Sequence, residues 1–165
     1  MLIDAFLTPF FPEKESQFDG SIVVMIDVLR ASTTICAALY NGAKEIIPTE
    51  SLEKAVRIYS SLSKEIRFLG GERNGIKPNG FDAGNSPSEY TQETVKDKTV
   101  ILTTSNGTIT FQKAQQAKVK IIGSFVNMTA VLNYLKNLLS ENNNKLSFLC
   151  AGTNGRLSYE DTLCA

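Results

Sequence analysis

Hydrophobic positions along this chain come in short apolar runs separated by stretches with helical spacing. Ser21–Val28 (SIVVMIDV) is short, β-branched and apolar without alternation, the pattern of a strand buried on both faces. Leu2–Leu7, Glu45–Pro48, Arg67–Leu69, Thr99–Thr103, Val119–Gly123 and Leu146–Cys150 read as further strands. Between them, Thr33–Tyr40 predicts a short helix closed by Asn41-Gly42, and Leu52–Leu62 a helix with Ser51 as N-cap. Helices are also expected near Ile109–Ala117 and over Met128–Leu139, the latter capped by Asn127. Ser86, Pro87 and Glu89 form a capping-box signature for another, and Ser158 with Asp161 starts a last one. Strands alternating with helices predict an α/β fold whose central sheet, largely parallel or mixed, is covered on both faces. No interdomain linker interrupts the pattern, so residues 1–165 are expected to form a single domain.

One segment breaks the rhythm. Gly70–Pro87 (GGERNGIKPNGFDAGNSP) holds five glycines and three asparagines and carries Glu72, Arg73, Lys77 and Asp82. A loop of this length inside a compact domain is a functional candidate. A short echo links SNGT at Ser105–Thr108 with TNGR at Thr153–Arg156, each just after a strand.

Composition removes several function classes. The 17 basic and 17 acidic residues cancel, so no net field favours nucleic acid. The longest apolar stretches are too short to span a bilayer, and the N-terminus lacks the basic region of a signal peptide. Three scattered cysteines read as reduced thiols of a cytoplasmic protein. There is no histidine. That excludes Ser-His-Asp and Cys-His catalysis and the HExxH zinc enzymes, and leaves too few soft ligands for a zinc site.

In parallel α/β folds, ligands bind beyond the carboxyl ends of the strands. The segments there are Asp27–Thr33, the Gly70–Pro87 loop, Thr103–Thr108, Gly123–Asn127 and Cys150–Arg156. They gather Asp27, Arg30, Glu72, Arg73, Asp82 and Arg156 among glycines that let backbone N–H groups approach an anion. Arginine adds a two-pronged donor, and carboxylates beside it suggest a hard cation such as Mg2+. Each feature also has a plain structural reading. Asp27 could cap the next helix, Arg30 could be a surface ion pair, and Ser105, Asn106 and Thr108 could serve only as turn and cap residues. For Glu160 and Asp161, first-turn acids of a helix, the structural reading is preferred.

Two phosphatase patterns are visible. Asp27 follows an apolar strand, as the nucleophile of haloacid-dehalogenase-type enzymes does, but Leu29 stands where those enzymes carry a second acid. Cys150–Arg156 (CAGTNGR) has the spacing of a cysteine-phosphatase loop, yet Leu157 follows in place of Ser or Thr and no acid loop completes it.

Six blocks, DVLRASTTICAALYNGAKEI, LGGERNG, GFDAGNSPSEY, VILTTSNGT, IGSFVN and CAGTNGRLSYEDTLCA, occur here in this order. Together they resemble the 2-phosphosulfolactate phosphatase family from Ser21 onward. The resemblance implies a three-layer α/β/α fold and a Mg2+-dependent phosphohydrolase that converts 2-phosphosulfolactate and water to sulfolactate and phosphate. In methanogens that step belongs to coenzyme M synthesis; in bacteria it would feed sulfolactate formation. Family members continue past the block that ends at Ala165, so the resemblance implies that the C-terminal part of the family fold lies outside these residues. The ligand would be small, phosphorylated and sulfonated, with no nucleic acid or membrane partner and with homo-oligomerisation left open.

On this reading Asp27, with Glu72 or Asp82, anchors Mg2+. Arg30 or Arg156 faces the phosphoryl oxygens, and backbone N–H groups of Ser105, Asn106, Gly107 and Thr108 add to them. Asn154 and Gly155 border the substrate, while Arg73 and Lys77 meet its sulfonate and carboxylate. The attacking group is either metal-activated water or Asp27 itself. The alternatives are a metal-free cysteine phosphatase using Cys150 and Arg156, and a non-catalytic module that binds small anions.

Overall fold

A computed structural model describes residues 2–10, 15–139 and 145–165. The strands are β1 (Leu2–Phe6), β2 (Ile22–Ile26), β3 (Glu45–Pro48), β4 (Arg67–Gly71), β5 (Thr99–Thr103), β6 (Val119–Gly123) and β7 (Lys145–Cys150). The helices are α1 (Ala31–Tyr40), α2 (Leu52–Ser61), α3 (Gln92–Val95), α4 (Gly107–Lys113), α5 (Met128–Leu139) and α6 (Tyr159–Cys164). All paired strands are parallel, and helices flank them in layers, as expected of an α/β/α fold.

The strands divide between two sheets rather than filling one. The first has the order β1-β7-β2-β6 and the second β3-β5-β4. The inner strands are the continuous apolar runs. All five residues of β2 and all five of β5 are buried, which matches strands covered on both faces. Phe111 of α4 and Ile122 of β6 pack against a core cluster of each sheet and so join the two.

The register brings the strand ends level. Ile26 pairs with Gly123 and with Cys150, so the chain leaves β2, β6 and β7 at one edge. In the second sheet Gly71 pairs with Thr103, and β4 and β5 end together. The loops after β2, β4, β5 and β7 hold every residue of the cleft described below.

Three local expectations change. The Ser86–Glu89 capping box heads only a single 3-10 turn, Pro87–Glu89, followed by the short α3. The helix expected near Ile109–Ala117 begins at Gly107. The turn before α5 is organised by Ser124, whose N–H donates to Asn127 Oδ1 at 2.9 Å. Among the described residues, no helix is long and apolar enough to cross a membrane.

The loop after β4 folds back along that strand through Tyr90. This side chain is fully buried, and its hydroxyl donates to the Gly84 carbonyl at 2.6 Å. A Cβ on Gly70 would run into the same hydroxyl. Gly70→Ala is therefore expected to cost about 1–3 kcal/mol, and Tyr90→Phe about 1 kcal/mol. The double variant should lose less than the sum, because removing the hydroxyl relieves the clash. Urea unfolding of the four proteins reads this coupling; additive losses would show that the two positions do not meet.

Candidate active site

The ends of β2, β4, β5 and β7 enclose a cleft of about 310 Å3 lined by Asp27, Leu29, Arg30, Glu72, Asn74, Gly75, Asn85, Ser105, Asn106, Thr153 and Asn154. Asp27 directly follows the apolar β2 and wraps the start of α1. Its Oδ1 accepts the Ala31 N–H at 3.2 Å, and its own N–H donates to Ser32 Oγ at 2.8 Å. The capping role and the cleft position are thus held by one side chain. Asp27 is 9% exposed. Burial, then the nearby charges of Asp161 and Glu72, push its carboxyl up to about 7, against the pull of the Ala31 and Arg30 N–H groups.

Glu72 is buried and holds two loops together. Its Oε1 accepts the Ser105 N–H at 2.6 Å, and its Oε2 accepts the Gly75 N–H at 2.7 Å and the Ser105 hydroxyl at 3.1 Å. Asp161 of α6 does the same on the other side. Its Oδ1 accepts the Val28 N–H at 2.8 Å and its Oδ2 the Gly152 N–H at 3.0 Å. Asp161 is therefore a structural acid, as expected, but one that fixes the loops flanking Asp27 rather than merely favouring a helix end.

The sequence echo takes a different form. Arg73–Ile76 and Thr153–Arg156 are matching tight turns, each closed by a reciprocal pair of backbone hydrogen bonds. Both have positive φ at the Asn-Gly pair: 54° and 79° at Asn74-Gly75, 51° and 76° at Asn154-Gly155. That is the type I′ signature, which these two residue types adopt most readily. SNG at 105–107 is no third copy. It bridges the other two, since Ser105 Oγ accepts the Asn74 N–H at 3.1 Å and Asn106 Oδ1 accepts the Asn154 N–H at 3.2 Å.

Of the expected site residues, the cleft unites Asp27, Arg30, Glu72, Ser105, Asn106 and Asn154. Gly107 lies just beneath it, where a Cβ would come within 2.8 Å of Asp27 Oδ2 and 2.9 Å of Thr104 Oγ1. The others lie elsewhere. Asp82 is exposed and its Oδ2 accepts the Leu69 N–H at 2.8 Å, on the outer edge of β4. The Arg73 guanidinium donates to the Glu72 carbonyl and to Thr103 Oγ1, both at 2.7 Å, and does not line the cleft. Lys77 and Arg156 are exposed and outside the lining, Thr108 Oγ1 donates to the Thr104 carbonyl, and Gly155 sits against Phe10.

Cys150 is fully buried, and burial, with Asp161 and Cys164 nearby, pushes its thiol up to about 12. A nucleophilic cysteine needs the opposite. Neither Cys150 nor Arg156 lines the cleft, which counts against the metal-free cysteine alternative.

Arg30 is the one basic residue lining the cleft, and its guanidinium makes no hydrogen bond or ion pair among the described residues. Among those residues no three His, Cys, Asp or Glu side chains gather as a metal cluster. The oxygen donors present do suit a hard cation. Asp27 and Glu72 line one cleft together with Asn85, whose Oδ1 is buried and unpaired. Asn74, Asn85 and Thr153 were not singled out from sequence; a neutral polar residue in a glycine-rich loop carries no compositional signal.

A family model described as 2-phosphosulpholactate phosphatase matches residues 8–165. Three similar relatives are each named a probable 2-phosphosulfolactate phosphatase. That of Caldanaerobacter subterraneus is 44% identical over 143 residues, covering 87% of this chain and 58% of the relative. That of Thermotoga maritima is 42% identical over 164 residues, covering 99% and 66%. That of Clostridium perfringens strain 13 is 42% identical over 168 residues, covering 100% and 66%. The chain thus spans roughly three fifths to two thirds of the length of these relatives.

The raised Asp27 carboxyl fixes the sign of a pH effect. Between about 4 and 7 the native protein keeps a proton that the unfolded chain has released, so stability falls as pH rises through that window. In chelator-treated buffer, Asp27→Asn should flatten this slope and stabilise the protein at pH 8 by up to roughly 4 kcal/mol. Urea midpoints at pH 5 and pH 8 measure it; an unchanged slope would mean that Asp27 ionises freely.

Proposed function

Because the chain belongs to the 2-phosphosulpholactate phosphatase family, we propose that it acts as a Mg2+-dependent phosphohydrolase releasing phosphate and sulfolactate from 2-phosphosulfolactate. The observation that carries this reading is the cleft itself, whose lining brings together two buried carboxylates, Asp27 and Glu72, and the free guanidinium of Arg30. Asp27 and Glu72 would hold the cation. Bound Mg2+ would act as a Lewis acid that offsets charge on the phosphoryl oxygens.

The chain's own groups supply the rest. Arg30 pairs with anionic oxygens of the substrate, in the fork geometry that suits phosphate, carboxylate and sulfonate alike. Ser105, Asn106 and the two Asn-Gly turns border the ligand with neutral polar groups on a braced frame. Asp27 stands where a reacting carboxylate or a proton acceptor is needed, and its burial keeps bulk water from competing. With Arg73 and Lys77 outside the cleft, recognition of the sulfonate falls to Arg30 and these neutral donors. The free cysteines fit a cytoplasmic location.

A phosphate-release assay with 2-phosphosulfolactate, with and without Mg2+, tests the reading. Asp27→Ala should abolish release. Arg30→Lys should raise KM, because the charge stays and the fork is lost; a charge-assisted contact of this kind is worth about 1.5–3 kcal/mol. Cys150→Ser should retain activity, and a chelator should remove it. Full activity in chelator would end the Mg2+ reading. Thermal stabilisation by sulfolactate without any phosphate release would instead assign the chain as a binding module.

A further inference from the structure

We infer that Asn85, through its side-chain carbonyl oxygen, is the third protein ligand of a divalent-cation site shared with Asp27 and Glu72. The inference rests on the Mg2+ reading above and names a ligand that neither the sequence motifs nor the comparisons assign.

Asn85 is 5% exposed, and its Oδ1 is buried with no hydrogen-bond partner among the described residues. An unpaired buried amide oxygen destabilises the fold. Such a group is expected only where strain, water or a ligand explains it. Asn85 lines the same cleft as Asp27 and Glu72.

The backbone around Asn85 is unusually well fixed for a residue whose side chain binds nothing. Its carbonyl accepts the hydroxyl of Thr34, itself fully buried in α1, at 3.0 Å. Glu89 holds the two neighbouring amides: Oε2 accepts the Gly84 N–H at 2.9 Å, and Oε1 the Ser86 N–H at 3.3 Å. Tyr90 holds the Gly84 carbonyl. The capping box thus heads no long helix; it immobilises Asn85. Fixing a ligand's backbone in advance lowers the cost of binding, which is how a supporting shell raises affinity.

The donor type favours a cation. Asp27 and Glu72 offer only acceptor oxygens when ionised, and an added carbonyl oxygen makes a hard, oxygen-only set. An anionic substrate oxygen placed between Asp27 and Glu72 would be repelled by both carboxylates, and by the Asn85 carbonyl oxygen as well.

The test is calorimetric titration of the chelator-treated chain with Mg2+ alone, which needs no substrate. The wild type should bind one ion, and Asp27→Ala should not. Asn85→Leu should weaken binding on the order of tenfold or more, while Asn85→Asp, which keeps the oxygen and adds charge, should bind at least as tightly as wild type. In the absence of cation, the melting temperature of Asn85→Leu should stay level or rise, because an unpaired polar atom is removed. A residue with a merely structural role would lower it. If Asn85→Leu does not fold, Asn85→Ser provides the same comparison. Wild-type Mg2+ affinity in the Leu or Ser variant, with a raised KM for 2-phosphosulfolactate, would overturn this inference and leave the Mg2+ reading standing. No Mg2+ binding by the wild type would overturn both.

Discussion

Two buried carboxylates, each accepting backbone N–H groups from two loops, set the geometry of the whole cleft. Glu72 joins the loop after β5, at Ser105, to the turn after β4, at Gly75. Asp161 joins the loop after β2, at Val28, to the turn after β7, at Gly152. In both cases the amide held lies two residues beyond the end of a strand with every residue buried. A hydrogen bond to a charged acceptor contributes about 1.5–3 kcal/mol, so each of these contacts is a strong tie between loops that have little apolar surface to bury. The two sheets could pack through Phe111 and Ile122 without them, but the loops carrying Asp27, Asn74, Ser105 and Asn154 would then have no common reference.

This bracing has an electrostatic consequence. Glu72 and Asp161 place negative charge around Asp27, which is itself removed from water at the end of an apolar strand. The contacts that order the loops are therefore among those that disfavour the ionised Asp27. Burial is the larger cause and the neighbouring acids add to it. A cleft built this way favours a proton on Asp27 and, on the proposed reading, would favour a cation in its place.

Much of this was legible in the sequence, and what was not has a common reason. β2 and β5 announce themselves because a strand covered on both faces must be apolar throughout, and Asp27 stands out as the first charge after such a run. The Asn-Gly pairs are readable because few residues tolerate positive φ. Side-chain direction is what the sequence conceals. Glu72 and Asp82 look equivalent in one glycine-rich loop, yet one turns inward to Ser105 and the other outward to the amide of Leu69. Arg73 looks like a ligand-binding guanidinium and is spent on Glu72 and Thr103. Asn85 looks like loop filler beside a helix start, because a neutral carboxamide has meaning only when its missing partner can be seen. The division into two sheets was hidden for a similar reason: alternation of strands and helices fixes their type and leaves the pairing of strands open.

The cleft's composition then bears on how a highly charged ligand could enter it. Among the described residues its charged lining is two acids and one arginine, the remainder being mostly Asn, Ser and Thr. Alone, that surface does not favour a substrate bearing phosphate, sulfonate and carboxylate. On the proposed reading a divalent cation reverses the local sign, so cation and substrate must bind with positive coupling: each neutralises what the other finds unfavourable. The neutral carboxamides fit such a site, because they can orient anionic oxygens without adding positive charge that would compete with the cation. On that reading, Asn85 Oδ1, buried without a partner, would be a structural counterpart of that coupling. Its coordination would then be deferred from folding to binding, and a protein arranged in this way is more stable with its ligands than without them.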